Sequence, residues 1–576
     1  MDNEAFSDSP THYDVIVIGA GLAGLNAATE LLRLKPTLRV LVVEAKERVG
    51  GRTLSVSMKA ARGTSIHADL GGTWVRRAQP NILKVIEDFG LKTIPQYSNG
   101  IKWAQLGKHK WRPLTKSELL KNMRGLSLCE ALDLWWNVRK IEKLAEKMSV
   151  ALYFTVDVTD PFSWCRAAEF NEMSLAQWIR KNVTGRCARD ALEIAARTTY
   201  GAEPDRINML YHIIMCKLTG SFNPIKADGS SSDVLRVEGG TEQISKQLAE
   251  KLGKDRIILN RAVERLEVDE SQGITRVYTY STGAACEKVL YTCSQVICAV
   301  PLNLCSKISF SPPLPYLKQR LFESSMPGSM ITFIITFETA FWREEGWSGE
   351  VISTGRTTTA NEVLPLNCTF DYTSLTGIPA ITGYMNEEFT DMDKEDRCNA
   401  VVQDLMRVFG ERAMLQFLDY REKVWSKESF ICGAPGAFMP CGMMDCWLTI
   451  REPFLSIHFA GAETASKWIG WMEGAVESGV RSVHEVLHQL GHHDIVSYTI
   501  LKGSIYDNER KEPLAPSKHY EGKTSHSYRA VFFFSVLCLG ILVYSKKYRL
   551  SYTARAMKPL ENALVKYTTG IEWPHW

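Results

Sequence analysis

Apolar positions near the start of the chain form a short unbroken run, followed by residues at helical spacing. Tyr13-Asp14-Val15-Ile16-Val17-Ile18 predicts a parallel strand, because a strand covered on both faces has no polar side to alternate with. A glycine turn follows from Gly19 to Gly24. Residues 25–34 (LNAATELLRL) then read as a helix that Pro36 ends. Residues 38–43 give a second strand closing on Glu44, so the chain opens with a βαβ unit. From about 115 to 235 the pattern is helical, as in LCEALDLWWNVRKIEKLAEKM, and from 255 to 300 it is strand-rich. Residues 331–337 (ITFIITF) predict another strand, 477–490 a closing helix, and 491–528 a polar linker.

The pattern changes once more at residues 530–544, AVFFFSVLCLGILVY, an uncharged run between Arg529 and Lys546-Lys547. As a helix it spans roughly 22 Å, short of a ~30 Å hydrocarbon core. Snorkelling of the flanking basic side chains covers the difference. Residues 529–547 are therefore expected to be a transmembrane tail anchor in a lipid bilayer. A buried core helix is the alternative, disfavoured by the polar stretch before it and the basic tail after it.

Composition narrows the class. The 576 residues are 45% hydrophobic and 23% charged, enough for a large core and unlike a disordered or disulfide-scaffold chain. Lys+Arg 68 against Asp+Glu 65 gives +3, which argues against a nucleic-acid partner. The cysteines are scattered without zinc-type pairs, and His12, His458 and His492-His493 lack ligand spacing, so no metal is expected. The acidic N-terminus carries no secretory signal, which leaves the sequons at Asn182 and Asn367 without a glycan.

The candidate chemistry starts at Gly19-x-Gly21-x-x-Gly24, which follows a strand, opens a helix and precedes an acidic residue, Glu44, by twenty positions. That is the full context of a dinucleotide site. Gly19 allows the tight turn and Gly21 the approach of a pyrophosphate to the helix N-terminus. Gly24 allows close packing, and Glu44 accepts from the adenosine ribose. An acid there disfavours a 2′-phosphate. Glu44-Ala45-Lys46-Glu47-Arg48-Val49-Gly50-Gly51-Arg52-Thr53 then adds a glycine pair and two arginines, residues suited to gripping phosphate. Asp69-Leu70-Gly71-Gly72-Thr73-Trp74 follows. Far downstream stand Phe459-Ala460-Gly461-Ala462-Glu463-Thr464 and Trp471-Met472-Glu473-Gly474-Ala475.

This set, in this order, resembles the flavin-containing amine oxidases, most closely the monoamine oxidases, over about residues 12–490. Thr199-Tyr200-Gly201-Ala202-Glu203-Pro204, Glu238-Gly239-Gly240 and Val296-Ile297-Cys298-Ala299-Val300-Pro301-Leu302 belong to the same resemblance. It implies FAD held by Gly19, Gly21, Gly24, Glu44 and Arg52. Gly71, Gly72 and Thr73 would lie near the flavin, Val263 at the adenine side, and Glu463 and Met472 near the ribityl chain and ring. It also implies oxidation of an amine C–N bond, hydrolysis of the imine, and O2 as acceptor yielding H2O2. The implied architecture is α/β and α+β, a Rossmann-like FAD domain with a discontinuous substrate domain and the C-terminal helix. The FAD domain takes 12–90, 235–305 and 445–490, and the substrate domain takes 91–234 and 306–444. By the same parallel, the anchor is expected in the mitochondrial outer membrane with the enzyme facing the cytosol. The endoplasmic reticulum is the alternative, and a homodimer is admissible.

Three features depart from the monoamine oxidases. Their flavin-linking Cys-Tyr pair falls on Ala434-Pro435, or on Gly433-Ala434 if the register slips by one, so FAD is expected to be non-covalent. The second aromatic wall of their substrate site is Trp471 here, where they have tyrosine. Their lysine bridged by water to the flavin is replaced by Thr332, which brings no positive charge. Thr332 and Trp471 are the candidate catalytic residues. Arg76-Arg77 reads as a solvated loop rather than a substrate clamp. Rival readings are a polyamine or amino-acid oxidase of the same fold and a catalytically silent flavoprotein. Trp74 counts against the amino-acid oxidases, which place an arginine there.

Overall fold

A computed structural model of the chain describes residues 10–107, 111–114, 128–152, 164, 166–219, 233–283, 287–356, 362–501 and 504–506. The expected anchor over 529–547 lies outside them. Among the described residues no helix is long and apolar enough to cross a membrane.

The opening unit forms as its pattern predicts. Strand β1 (Thr11–Ile18) pairs in parallel with β2 (Val40–Val43), and helix α1 (Leu22–Leu34) connects them. The helix begins three residues before the apolar periodicity, because Gly21 already stands at its N-cap with extended dihedrals. β1 is apolar throughout its second half because successive side chains enter different cores. Val15 and Val17 pack with Leu25 and Leu31 of α1 and with Val483 and Leu487 of the C-terminal helix. Ile16 and Ile18 pack on the other face, in the core that holds Leu210, Tyr211 and Phe459.

β1 lies inside an eight-stranded sheet. Its other neighbour is the strand Lys288–Cys298, also parallel, and Ile457–Phe459 adds to that strand from near the far end of the chain. Ile274–Ser281 and Arg261–Asp269 continue the sheet antiparallel, and Ser309–Ser311 closes it. A seven-stranded sheet runs in the order 417–424, 331–337, 380–385, 366–371, 347–353, 101–105 and 112–114. A three-stranded sheet joins Trp74–Arg76 and Thr93–Pro95 through Val234–Val237. The segment read as helical holds helices at 128–152, 167–171, 175–182, 186–200 and 209–218.

The closing helix is Met472–Gln489, five residues longer at its start than its periodicity suggests. Its Glu473 accepts from the backbone N–H of Ile82 (2.8 Å) and the amide of Asn81 (2.8 Å). The helix Pro80–Asp88, which has no side-chain cap of its own, is thereby capped from almost four hundred residues away. Leu501 is fully buried and the Tyr506 ring lies 4.9 Å from His488, so the start of the 491–528 segment packs on this body.

Candidate active site

The three glycines of the first turn have three different physical reasons. Gly19 has φ +102°, a conformation that suits only glycine. A Cβ on Gly24 would lie 2.0 Å from the Gly19 carbonyl oxygen, so helix and turn close only without it. Gly21 needs neither excuse. Its dihedrals (φ −73°, ψ 176°) are open to any residue, and no protein atom lies within 4 Å of where its Cβ would stand. The space a side chain would fill is left empty beside the uncapped N-terminus of α1. A pyrophosphate fits it, received by unpaired N–H groups and a favourable dipole.

Glu44 stands at the edge of that space. Its carboxylate accepts from Ala20 N (2.6 Å) and Lys46 N (3.0 Å), which locks the ends of β1 and β2 together and leaves lone pairs for a ribose. Burial pushes its pKa up, against those two hydrogen bonds and the charges of Arg48 and Lys46. Val263, half-buried, follows closely on Arg261, whose N–H donates to the Glu44 carbonyl.

Both arginines are held by protein acceptors. Arg48 donates to the carbonyls of Val49, Gly51 and Thr53, and so folds the glycine pair around itself. Arg52 forms a two-pronged pair with Glu463 (2.5 and 2.9 Å) and also donates to Pro435 O. Such a bidentate fork is the strong form of an ion pair. Glu463 in turn accepts from Ala437 N. The pair joins the first glycine-rich segment, the 434–437 segment and the C-terminal segment at one point. A Cβ at Gly51 would lie only 3.4 Å from Gly21 Cα, which places this junction beside the phosphate space.

On the other side of Arg52 lies the second glycine turn. A Cβ on Gly71 would stand 2.2 Å from Arg52 O, so Gly71 is there for close packing. Gly72 faces the Met472 side chain, with Cγ and Sδ 3.5 Å from a built Cβ. Thr73 donates its hydroxyl to Gly71 O. Below the turn Asp69 accepts from Ser55, Thr241 N and the Tyr372 hydroxyl. Burial nevertheless pushes its pKa up to about 6. Gly240 (φ +94°) is required here, since a Cβ would meet Ser55 Oγ and Asp69 Oδ1.

Thr332 reaches this turn from the seven-stranded sheet. Its hydroxyl donates to Leu70 O at 2.5 Å, beside a second bond from Trp425 Nε1. Directly across the strand pair from Thr332 is Lys423, a residue that sequence reading missed. Its ammonium pairs with Glu428, which also holds Lys46 (2.5 Å). Burial, then Lys46 and Arg48, push the Lys423 pKa down. Nothing local in the sequence links Glu428 to Lys46, so the cluster has no signature.

Trp471 is the N-cap of the closing helix, next to Met472, and its ring stands 5.6 Å edge-on to Trp468. The Arg76 guanidinium lies over that ring at 5.8 Å. Trp74 packs on Phe370 and Tyr384. Thus Gly19, Gly21, Gly24 and Glu44 form one end of a site. Gly71, Gly72, Thr73, Thr332, Trp471 and Met472 form the other, and Arg52 with Glu463 ties the two together. Val263 stands apart, on the Glu44 side.

Such a cradle in this α/β fold is that of a dinucleotide-binding oxidoreductase. The model of the flavin containing amine oxidoreductase family matches residues 22–487. The chain belongs to that family, and FAD is its cofactor. It is 30% identical to the "probable flavin-containing monoamine oxidase A" of Dictyostelium discoideum over 83% of this chain and 98% of that one. It is likewise 30% identical to flavin-containing amine oxidase A of Canis lupus familiaris over 83% and 86%. Among solved structures, wild-type putrescine oxidase bound to putrescine superposes with a TM-score of 0.70 at 25% identity, covering 83% of this chain and 99% of that one.

The segment facing Arg52 and Glu463 carries Ala434 and Pro435 and therefore no thiol, while Cys432 sits in a turn closed by its N–H to Glu428 O. Acid precipitation of the purified protein is expected to leave the flavin in the supernatant. Yellow peptides after proteolysis of the pellet would overturn this.

Proposed function

We propose that the protein oxidises a primary amine to the aldehyde with release of ammonia, reducing O2 to H2O2 and consuming one water. FAD supplies the two-electron acceptor, a reaction no side chain can perform. The chain binds the cofactor through the Gly21 space and Glu44 and sets the turn Gly71–Thr73 beside Met472. It offers the Trp471 ring as an apolar wall for the amine. The observation that carries the reading is the position of Trp471, held next to the methionine that covers Gly72. Anaerobic addition of a panel of amines to the purified full chain should bleach the flavin absorbance, and air should restore it. A flavin that no amine reduces would sink the activity.

Thr332 favours a second reading, an amine dehydrogenase-like flavoprotein that reacts slowly with O2. Its hydroxyl is already donated to Leu70 O, and Lys423 across the strand is neutralised by Glu428, so neither residue offers a free charge to the negative charge that builds on O2. Thr332→Lys is expected to speed reoxidation about tenfold or more in stopped-flow mixing of reduced protein with O2. An unchanged rate at normal flavin content would show that charge at this position does not matter.

We further propose that 12–90, 235–305 and 445–490 act as the FAD domain and 91–234 and 306–444 as the substrate domain. Residues 529–547 would anchor the enzyme in the mitochondrial outer membrane, facing the cytosol. The short uncharged run with Arg529, Lys546 and Lys547 at its ends supports the anchor. A fluorescent reporter fused to residues 520–576 should mark mitochondria. Diffuse fluorescence would reject the anchor, and a reticular pattern would reject the mitochondrion.

A further inference from the structure

Arg76 places a cation on the substrate wall. Trp74 and Arg76 point to the same face of the strand Trp74–Arg76, two residues apart. Trp74 turns into the aromatic group of Phe370 and Tyr384. Arg76 turns over the Trp471 ring, its guanidinium carbon 5.8 Å from the centroid. The position is built rather than draped. Arg76 N donates to Gln79 Oε1 at 2.8 Å, which identifies that atom as the oxygen. The Gln79 side chain is 1% exposed, and its Nε2 has no partner among the described residues. The Arg76 guanidinium therefore stands as a charged donor beside the aromatic wall, on a backbone held by Gln79.

The neighbouring charges do not cancel this. Asp233 lies 3.8 Å from Arg76, but its side chain is 40% exposed, and so loose a surface pair is weak. Glu473 is buried and already held by the N-terminal N–H groups of the helix Pro80–Asp88. A substrate amine seated on Trp471 would sit within about 6 Å of its centroid, and so within roughly 12 Å of Arg76. A second ammonium that came within a similar range of Arg76 would be disfavoured about tenfold at an effective dielectric of about 20, and a carboxylate favoured to a similar extent.

We infer that Arg76 is a specificity-determining residue that selects by charge at the remote end of the amine. It excludes diamines and polyamines and admits amines whose far end is neutral or anionic. This rests on the amine-oxidase reading above and narrows its substrate class, away from the diamine that the putrescine oxidase structure holds.

The test measures kcat/KM, or the anaerobic rate of flavin reduction, for hexylamine, 1,6-diaminohexane and 6-aminohexanoate in the full chain. The wild type should prefer hexylamine to the diamine by tenfold or more. In Arg76→Gln the diamine-to-hexylamine ratio should rise about tenfold and the aminohexanoate-to-hexylamine ratio fall. Asp233→Asn, which frees Arg76 from its partial counter-charge, should move both ratios the opposite way. If amines reduce the flavin but neither variant changes the ratios, the inference is overturned. If Arg76→Gln loses its flavin, the Asp233→Asn ratios decide alone. A wild-type flavin reduced by no amine at all would remove the amine-oxidase reading, and the inference with it.

Discussion

Purified Gly21→Val protein should be folded and colourless. A Cβ at this position meets no protein atom within 4 Å and the dihedrals already present suit any residue, so the chain itself should tolerate a valine at a cost of about 1 kcal/mol. What it fills is the space beside the α1 N-terminus, where a branched side chain and a pyrophosphate exclude each other. The ratio of flavin to protein absorbance should drop to background while the circular dichroism stays that of the apoprotein. Gly24→Ala is the contrasting control. Its Cβ would collide with Gly19 O, and it should damage the fold rather than the cofactor alone. Glu44→Ala falls between them, since it removes the ribose acceptor and also strands the N–H groups of Ala20 and Lys46, a loss of about 1–3 kcal/mol. Full flavin occupancy in Gly21→Val would mean that the phosphates bind elsewhere.

Arg52→Met should destabilise the protein by about 3–5 kcal/mol, because it leaves the carboxylate of Glu463 buried without its counter-charge. Arg52→Met/Glu463→Leu should recover much of that loss, since the double variant buries no ion. Urea denaturation of the apoproteins measures both, and equal losses in the single and double variants would show that the pair is not coupled. The pair also predicts a pH dependence. Burial raises the Glu463 pKa, but the Arg52 charge and hydrogen bonds outweigh it and hold it below its ordinary value of 4.5. The carboxylate therefore contributes stability above that value, and the contribution is lost as pH falls through the lower folded pKa. Glu463→Gln should lack this acid-side component.

The parts of the candidate site that are legible in the sequence are local. Gly19, Gly21 and Gly24 lie in one turn, and the strand before it and the helix after it are written in adjacent residues. Glu44 follows from the length of one helix and one strand. The protein partners of Arg48 and Arg52 were not legible, because guanidinium chemistry suits carbonyls and carboxylates as well as phosphate. Only folding decides which of these arrives. Glu463 and Glu428 arrive from the other end of the chain, and no period or spacing announces them. Arg76 reads from sequence as part of a solvated loop, because the ring it covers lies almost four hundred residues downstream. The helix starts shifted where a boundary depends on a cap, at Gly21 and Trp471, rather than on apolar periodicity.

The bond between Arg52 and Glu463 joins residues 411 positions apart. During synthesis the first partner leaves the ribosome long before the second exists. At about 5–20 residues per second the interval is roughly 20–80 s. Through that time β1, α1 and β2 can form, but the strand Ile457–Phe459, the cap that Glu473 provides and the counter-charge for Arg52 are all missing. The nucleotide end of the cradle can thus form early, and the flavin end is completed only once residues 457–473 have been made. Cofactor loading is therefore a late event in the life of each chain, and a ribosome stalled before residue 457 holds a chain that cannot become yellow.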